Sequence, residues 1–483
     1  MSKLCLGFEV HQPFRLKPDF SPQNGTAESL ESLYFSEANR DILDRVADKC
    51  YIPATGVILD SLDKGFKCAF SLSGTLVEQL EKWRPDVLGL FKQVAAHRNA
   101  EMLAQTYFHS VASLFDLGEF EEQVRLHKKM LKAEFGVTPQ VIENTEFIFN
   151  NDIARSAKKL GFKAIYTEGV ERVLGWRSPD YVYSCNGIRL LMRNYQLSDD
   201  VAFRFNNRDW DQYPLMADKF ASWVAASPGD YVNVFVDYET FGEHHWEDSG
   251  ILEFLRWLPV ECLGRSVELI TPSEAAAIPA RDELSIEETI SWADVEKDAS
   301  AWLGNTIQHT ALKAIQRARP YAKDKKMWRY LQTSDHFYYM ASKFGSCADV
   351  HSYFSPGACR PFDSFAAYMR ILSDYESRAA KKMKPRSAAM ELRTVPPEEA
   401  FQFYTSNAYT GFTAYSLDDM CDLLNYVPKD SVEHHMKNKD LSRWVQDVLG
   451  DERLAGEMEE CKSRLELIDT ATKKKDALWT SLR

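Results

Sequence analysis

The sequence is poor in the features that would send a chain outside the cell or into a membrane. Its start, MSKLCLGFEVHQP, has no charged segment followed by a long apolar stretch and a small-residue cleavage site, so it does not read as a secretory signal. No later run is apolar enough to span a bilayer, and a membrane partner is not expected. The nine cysteines form no CxxC pair and are odd in number, which argues against a disulfide framework and points to free thiols in a reducing cytoplasm. Positive charge is also in deficit. A formal net charge of -13 and a pI near 5.5 leave no basic face for a polyphosphate backbone, so nucleic acid is excluded as an expected partner. HEXXH spacing, internal repeats and low-complexity tracts are missing as well.

What is present suits a large folded chain. With 483 residues, 45% of them hydrophobic, the chain can bury a substantial core in more than one folding unit. Aromatic content of 12%, including 11 Trp and 21 Tyr, would suit neutral sugar rings, whose C–H faces stack on flat apolar surfaces, although cores use aromatics too.

Short apolar runs alternate with helical patterns through the first half, the mark of βαβ units around a parallel sheet or barrel. Phe120, Val124, His127 and Leu131 recur at helical spacing and stop at Gly136; Val141 and Ile142 then open a strand-like run toward Phe149. Asn151 or Asp152 can cap a helix that ends at Gly161, before the strand FKAIYTEG. LCLGFEV, KCAFSLSG, AEMLAQTYF, IRLLMR, YVNVFV and VELIT complete a barrel of about seven or eight strands. Three parts are expected: a barrel over 1–275, a helical subdomain over 276–380 with helix dominating from Ser285 to Arg378, and a small, mostly helical accessory domain over 395–483. Lys381, Lys382, Lys384, Pro385 and Arg386 read as the linker before it.

In such barrels function gathers where strands end, so polar residues directly after apolar strands are the candidates. Val10 runs into His11, Gln12 and Pro13; AEMLAQTYF into His109; VIENTEFIF contains Glu143 and Glu146; YVNVFV runs into DYETFGEHHW. Taken singly, each has an ordinary structural reading, such as a hydrogen-bonded strand end or a satisfied core histidine. Four acids (Asp237, Glu239, Glu243, Glu247) leaving one strand with two histidines and a tryptophan are harder to explain structurally, because crowding carboxylates is costly. Two carboxyl groups suffice for acetal hydrolysis: one protonates the departing oxygen and the other faces the oxocarbenium-like transition state.

These segments resemble, in order, the five short motifs of glycoside hydrolase family 57, in its α-amylase-like branch. HQP at 11–13 resembles the first and AEMLAQTYFHS, with Glu101 and His109, the second; ENTEFIFN, VDYETFGEH and LQTSDHFYYM resemble the third, fourth and fifth. LSDDVAFRF at 197–205 also resembles that branch. Where the second motif commonly carries a Gly-rich run, this chain has Arg98, Asn99, Ala100 and Glu101. The resemblance implies an incomplete (β/α)7 barrel followed by helices, retention of configuration, an α-glucan substrate, and neither cofactor nor catalytic metal. It places the nucleophile on Glu146 and the general acid/base on Asp237, and puts Asp335 and His336 near substrate. His11, Gln12, Glu101, His109, Glu239 and His244 are expected to bind sugar hydroxyls, and Trp210 or Trp246 to stack a ring.

Three rivals stay open at this level. A sugar hydroxyl replacing water would give a 4-α-glucanotransferase or branching enzyme. His11, His109, Asp237 and His244 around a divalent ion would give a metal-dependent hydrolase such as a deacetylase. An inherited cleft without turnover would give a glucan-binding protein.

Overall fold

The computed structural model describes residues 2–22, 29–342 and 360–482. Nine strands precede residue 271: β1 (Lys3–Val10), β2 (Cys68–Leu72), β3 (Ala100–Met102), β4 (Val141–Ile142), β5 (Ala164–Glu168), β6 (Tyr183–Cys185), β7 (Ile188–Arg193), β8 (Val232–Asp237) and β9 (Glu268–Ile270). β1 pairs in parallel with β2 and β8, β2 with β3, β4 with β5, and β5 with β7. Two contacts join these groups. Ala104, just beyond β3, bridges Ile142 in parallel, and the Asn194 N–H at the end of β7 donates to the Asn233 carbonyl in β8 at 2.8 Å. The order β1-β2-β3-β4-β5-β7-β8 therefore returns to β1 as a seven-stranded parallel barrel, with β9 alongside the start of β1 and β6 antiparallel to the start of β7.

Alternation along the strands sorts the barrel into layers. Leu4, Leu6, Phe8 and Val10 of β1 face outward into a core shared with the surrounding helices. Cys5 of β1 and its counterparts Ala69, Leu103, Val141, Tyr166, Leu191 and Phe235 pack together inside. Gly7 is required there: a Cβ at this position would come within 2.3 Å of the Phe235 ring. Continuing toward the carboxyl ends, the inward positions turn polar: Glu9, Ser71, Glu168, Arg193 and Asp237. Register places Glu9 between Ser71 and Asp237, and Glu168 opposite Arg193.

The helices follow their sequence signals. Leu117–Phe135 buries Phe120, Val124, His127 and Leu131 and ends at Gly136 with φ 72°. Asn151–Lys159 is capped by the Asn150 side chain, one residue before the expected cap, and Gly161 follows with φ 86°.

Two expectations need correction. Helix was expected to dominate from Ser285, but Ser285–Ala299 is non-helical and the first helix begins at Ser300. The extended stretch pairs with the loop after β4: Ile290 and Phe149 exchange backbone hydrogen bonds at 2.8 and 2.9 Å, and the Trp292 N–H donates to the Glu146 carbonyl at 3.2 Å. Its apolar residues Ile286 and Ile290 answer to that partner rather than to helical periodicity. In the last part of the chain, Phe401–Tyr404 (β10) and Tyr409–Ala414 (β11) form an antiparallel hairpin among the helices. Trp444, Leu449 and Leu454 are buried there in a core of their own, which also takes Ala388 and Leu392 from a helix at Arg386–Leu392. That core therefore draws on residues N-terminal to 395. Helices between 300 and 380 share a core instead with the β4–β7 side of the barrel. Part of the helical expectation, residues 343–359, lies outside the described residues.

Candidate active site

β4 is only two residues long, and the chain leaves it in a tight turn over Thr145–Phe147. Glu146 and Phe147 adopt φ of 60° and 54°, the left-handed region that residues other than glycine enter at a cost of about 1 kcal/mol or more. The strain is held by packing. Phe147 is fully buried and stacks on Trp292 at 4.8 Å and 9°, while Glu146 keeps a fifth of its side chain exposed.

Three donors converge on the Glu146 carboxyl. The Trp292 indole N–H donates to Oε2 at 2.7 Å, the Ser334 hydroxyl to Oε1 at 2.9 Å, and His109 Nε2 stands 3.4 Å from Oε1. Burial alone would raise this carboxyl, but the His109 and Trp292 contacts outweigh it and hold it below the ordinary range. Asp237, the last residue of β8, behaves in the opposite way. Burial, and then the negative charge of Glu146, push it up to about 7, although Arg193 and His109 pull against the shift. Two carboxyls that feel each other's charge are thus separated in acidity, one ionised and the other retaining its proton near neutrality.

Other candidates join this cluster. His11 Nδ1 lies 2.7 Å from the Ser73 hydroxyl and its Nε2 3.0 Å from Asp335 Oδ2, while its ring stacks on His109 at 3.9 Å. Burial and the neighbouring His109 push His11 down to about 4, so it is neutral and donates from Nε2 to Asp335. Asp335 is held below the ordinary carboxylate range: burial opposes ionisation, but His11 and His109 prevail. Gln12 is buried; its amide N–H donates to Glu239 Oε1 at 3.4 Å, and its carbonyl accepts from Arg15 at 3.0 Å. Glu239, bonded also by the Tyr51 hydroxyl, is pushed up to about 8 by burial and by Asp237.

Several candidates are not brought in by these contacts. Glu101 accepts from the Ser273 N–H at 2.8 Å and the Ser273 hydroxyl at 2.6 Å, in the helix Pro272–Ala276 that follows β9. It therefore sits toward the opposite end of the barrel from Glu146, a correction that coincides with the departure from the second motif at Arg98–Glu101. Trp210 packs on Trp223 at 6.2 Å and under Arg204 on the outer helical layer. Trp246 is exposed beneath Lys49. His336 is buried, and its ring lies 6.3 Å from that of Tyr368, on the helical side. His244 is buried and pushed down to about 4 by burial and by His245. Glu243 is a structural acid: its carboxylate takes Arg45 at 2.8 Å, and Gly242 beside it has φ 131°, where a Cβ would strike the Lys49 carbonyl at 1.9 Å.

The metal arrangement does not assemble. Both ring nitrogens of His11 and of His109 already face side-chain partners, and among the described residues the ligand-type atoms close enough to share an ion are those of His434, His435 and Asp440. There, His435 donates from Nδ1 to Asp440 at 2.8 Å and accepts the Tyr404 N–H at Nε2, so its ring serves the hairpin.

Sequence reading missed Trp292, Ser334, Ser73, Gln105 and Arg193. Arg193 bonds Glu168 at 2.9 Å, Asp199 at 2.8 Å and the Phe235 carbonyl at 2.8 Å, and its guanidinium lies 5.6 Å from the Trp292 ring. The final residue of an apolar strand, as in IRLLMR, was the available signal.

A parallel barrel with helices around it, and carboxyls and histidines gathered at the carboxyl ends of its strands, defines a class, the βα-barrel proteins whose sites are built at that face. Comparison gives the family. The profile described as Glycosyl hydrolase family 57 matches residues 5–290, more than half of the chain, and the chain belongs to that family. It is 45% identical over 394 residues to a putative alpha-amylase of Methanocaldococcus jannaschii, covering 77% of this chain and 84% of that protein. Among solved structures it is similar to a family 57 branching enzyme from Thermococcus kodakaraensis, with a TM-score of 0.56, 12% identity and 80% and 90% of the two chains covered. A 4-alpha-glucanotransferase from Thermococcus litoralis matches with a TM-score of 0.50 and 14% identity over 82% of this chain, which spans 61% of that longer one. At such identities the structures attest the fold alone.

Proposed function

We propose that the protein is a retaining glycoside hydrolase of α-1,4-glucans, with Glu146 as nucleophile and Asp237 as general acid/base. The observation that carries this reading is the split in acidity: Glu146 held down by His109 and Trp292, Asp237 pushed up to about 7 by burial and by Glu146. An ionised Glu146 attacks the anomeric carbon while Asp237 delivers its proton to the departing glycosidic oxygen. Water then enters, Asp237 takes one of its protons, and the oxygen displaces Glu146 from the glycosyl ester. His11, Gln12, Glu239 and Asp335 line the cluster with donors and acceptors suited to sugar hydroxyls, and the 45% identical relative carries an amylase name.

The substrate is an α-glucan of starch, glycogen or maltooligosaccharide type, and the barrel, the helices after it and the C-terminal unit act as three parts of one enzyme. Seven free cysteines among the described residues suit a reducing cytoplasm. Timed product profiling on defined maltooligosaccharides tests the reading. Hydrolysis raises reducing ends with the α-anomer formed first; disproportionation without new reducing ends would instead make the protein a transferase using the same pair, and binding without turnover would make it an inert receptor.

A further inference from the structure

Below Glu146 lie two more buried carboxyls that the reaction above does not use. Glu9 of β1 and Glu143, directly after β4, are 3% and 1% exposed. Glu9 Oε1 accepts from the Gln105 amide at 2.9 Å and Glu143 Oε2 from the Ser71 hydroxyl at 3.0 Å. The second oxygen of each, Glu9 Oε2 and Glu143 Oε1, has no donor among the described residues, and the two carboxyls are within hydrogen-bond reach of each other. Two ionised carboxyls cannot face each other in so dry a place without a donor between them.

The same network fixes the state of His109. Gln105 Nε2 donates to both Glu9 Oε1 and Ser71 Oγ, at 2.9 and 2.8 Å, so its carbonyl oxygen is the atom 2.9 Å from His109 Nδ1. Nδ1 must therefore carry a hydrogen. Nε2 faces Glu146 Oε1, an acceptor, so it must carry one too, and the ring is an imidazolium. Around it stand Glu146, Asp335, Glu143, Asp237, the neutral His11 stacked on its face, and Glu9, whose Oε1 is 3.6 Å from Nδ1.

We propose that Glu9 and Glu143 share one proton, and that the single negative charge left on this pair keeps His109 an imidazolium beneath the nucleophile. Burial raises both carboxyls, Glu9 well above its ordinary range, as one retained proton requires. The device rests on the proposed reaction and gives it continuity. When Glu146 becomes a glycosyl ester its charge disappears, and His109 loses the partner at Nε2. The charge on the pair does not change in that step. His109 thus keeps its proton through both half-reactions and is in place to stabilise Glu146 again when the ester opens. Glu9 and Glu143 are positioning residues in this account, since neither touches the sugar.

The test compares the whole enzyme with Glu9→Gln and with the double variant Glu9→Gln/Glu143→Gln. Gln at position 9 reproduces a protonated acid, accepting from Gln105 and donating to Glu143. The wild-type minus Glu9→Gln infrared difference spectrum should show loss of a protonated carboxylic acid band at neutral pH, while the acidic limb of kcat/KM stays at its wild-type pH. The double variant carries no charge, so its acidic limb should move up by about one pH unit, roughly a tenfold loss of kcat/KM on that limb. Nitrogen NMR of His109 should show both ring N–H groups at pH 7 in the wild type and in Glu9→Gln, which decides the matter even if the double variant fails to fold. Absence of the acid band from the difference spectrum, a neutral His109 in the wild type, or an unmoved limb in a folded double variant overturns the proposal. Infrared and NMR need no turnover, so an inactive wild type would sink the reaction while leaving the shared proton measurable.

Discussion

Two glutamates, Glu101 and Glu146, lie within the same barrel and meet opposite environments. Glu101, toward the amino ends of the strands, receives a neutral N–H and a hydroxyl from Ser273, at the start of a short helix, and burial pushes its carboxyl above the ordinary range. Glu146, beyond the carboxyl ends, receives donors from three separate segments, one of them an imidazolium, and is lowered despite its burial. Its backbone is also forced to positive φ, whereas Glu101 lies in a regular strand. Burial of a carboxyl is common to both. What separates a helix-capping acid from a candidate nucleophile is convergence from distant parts of the chain, net stabilisation of the ionised form, and strain tolerated in the turn that presents it.

The contrast predicts a steep gradient of mutational effects. Glu146→Gln, nearly isosteric, should lower kcat on maltooligosaccharides by about a thousandfold or more, because the proposed glycosyl ester forms on this carboxylate and an amide does not attack in its place. Unaltered turnover in a folded variant would remove Glu146 from the chemistry. Asp237→Asn should cost about 10²- to 10⁴-fold and should abolish the alkaline limb of the pH profile. The sign follows from the raised pKa of Asp237. Asp237 must hold its proton for the first step, so kcat/KM of the native enzyme falls as pH rises through about 7, and the folded-state preference for protonated Asp237 is lost over the same range. Trp292→Phe keeps the ring against Phe147 but deletes one donor to a charged acceptor, an interaction of about 1.5 to 3 kcal/mol, so kcat should fall about 10- to 100-fold. The acidic limb should move upward as Glu146 becomes easier to protonate; a loss confined to KM would make Trp292 a platform for sugar alone.

How much of this was legible in the sequence depends on the range of the interactions. Strands of hydrophobic alternation, the caps at Gly136 and Gly161, and polar residues at the ends of β1, β4 and β8 depend on neighbours close in the chain, and they marked the barrel and its functional end. Trp292 and Ser334 reach Glu146 from 146 and 188 residues away, and no local pattern in IEETISWADVEKD marks it as a strand-like partner of the loop after β4. Glu9 was hidden for another reason. Inside LCLGFEV it occupies an alternate position in an apolar run, and only barrel closure shows that alternate positions near the carboxyl end line the site floor. For Trp210 and Trp246 the sequence offers only residue type, which carries no direction; the fold sets one on the outer layer and leaves the other exposed beneath Lys49.

The smallest expected effect falls on Glu101, where the family resemblance and the fold diverge. Glu101→Gln leaves one acceptor oxygen for two Ser273 donors and turns an amide N–H₂ toward one of them, so stability should fall by about 1 kcal/mol in denaturant titration. Because the Glu101 carboxyl is raised by burial, its ionised form is the costlier one in the folded state; the difference from Gln should therefore be largest at acidic pH and shrink as pH rises. With its partner at the far end of the barrel, kcat and KM should stay within about twofold of the native values, the range of substitutions that leave the reacting groups untouched. A kcat loss approaching that of Trp292→Phe would mean that the two ends of the barrel are coupled, and that distance from the strand ends does not protect the chemistry.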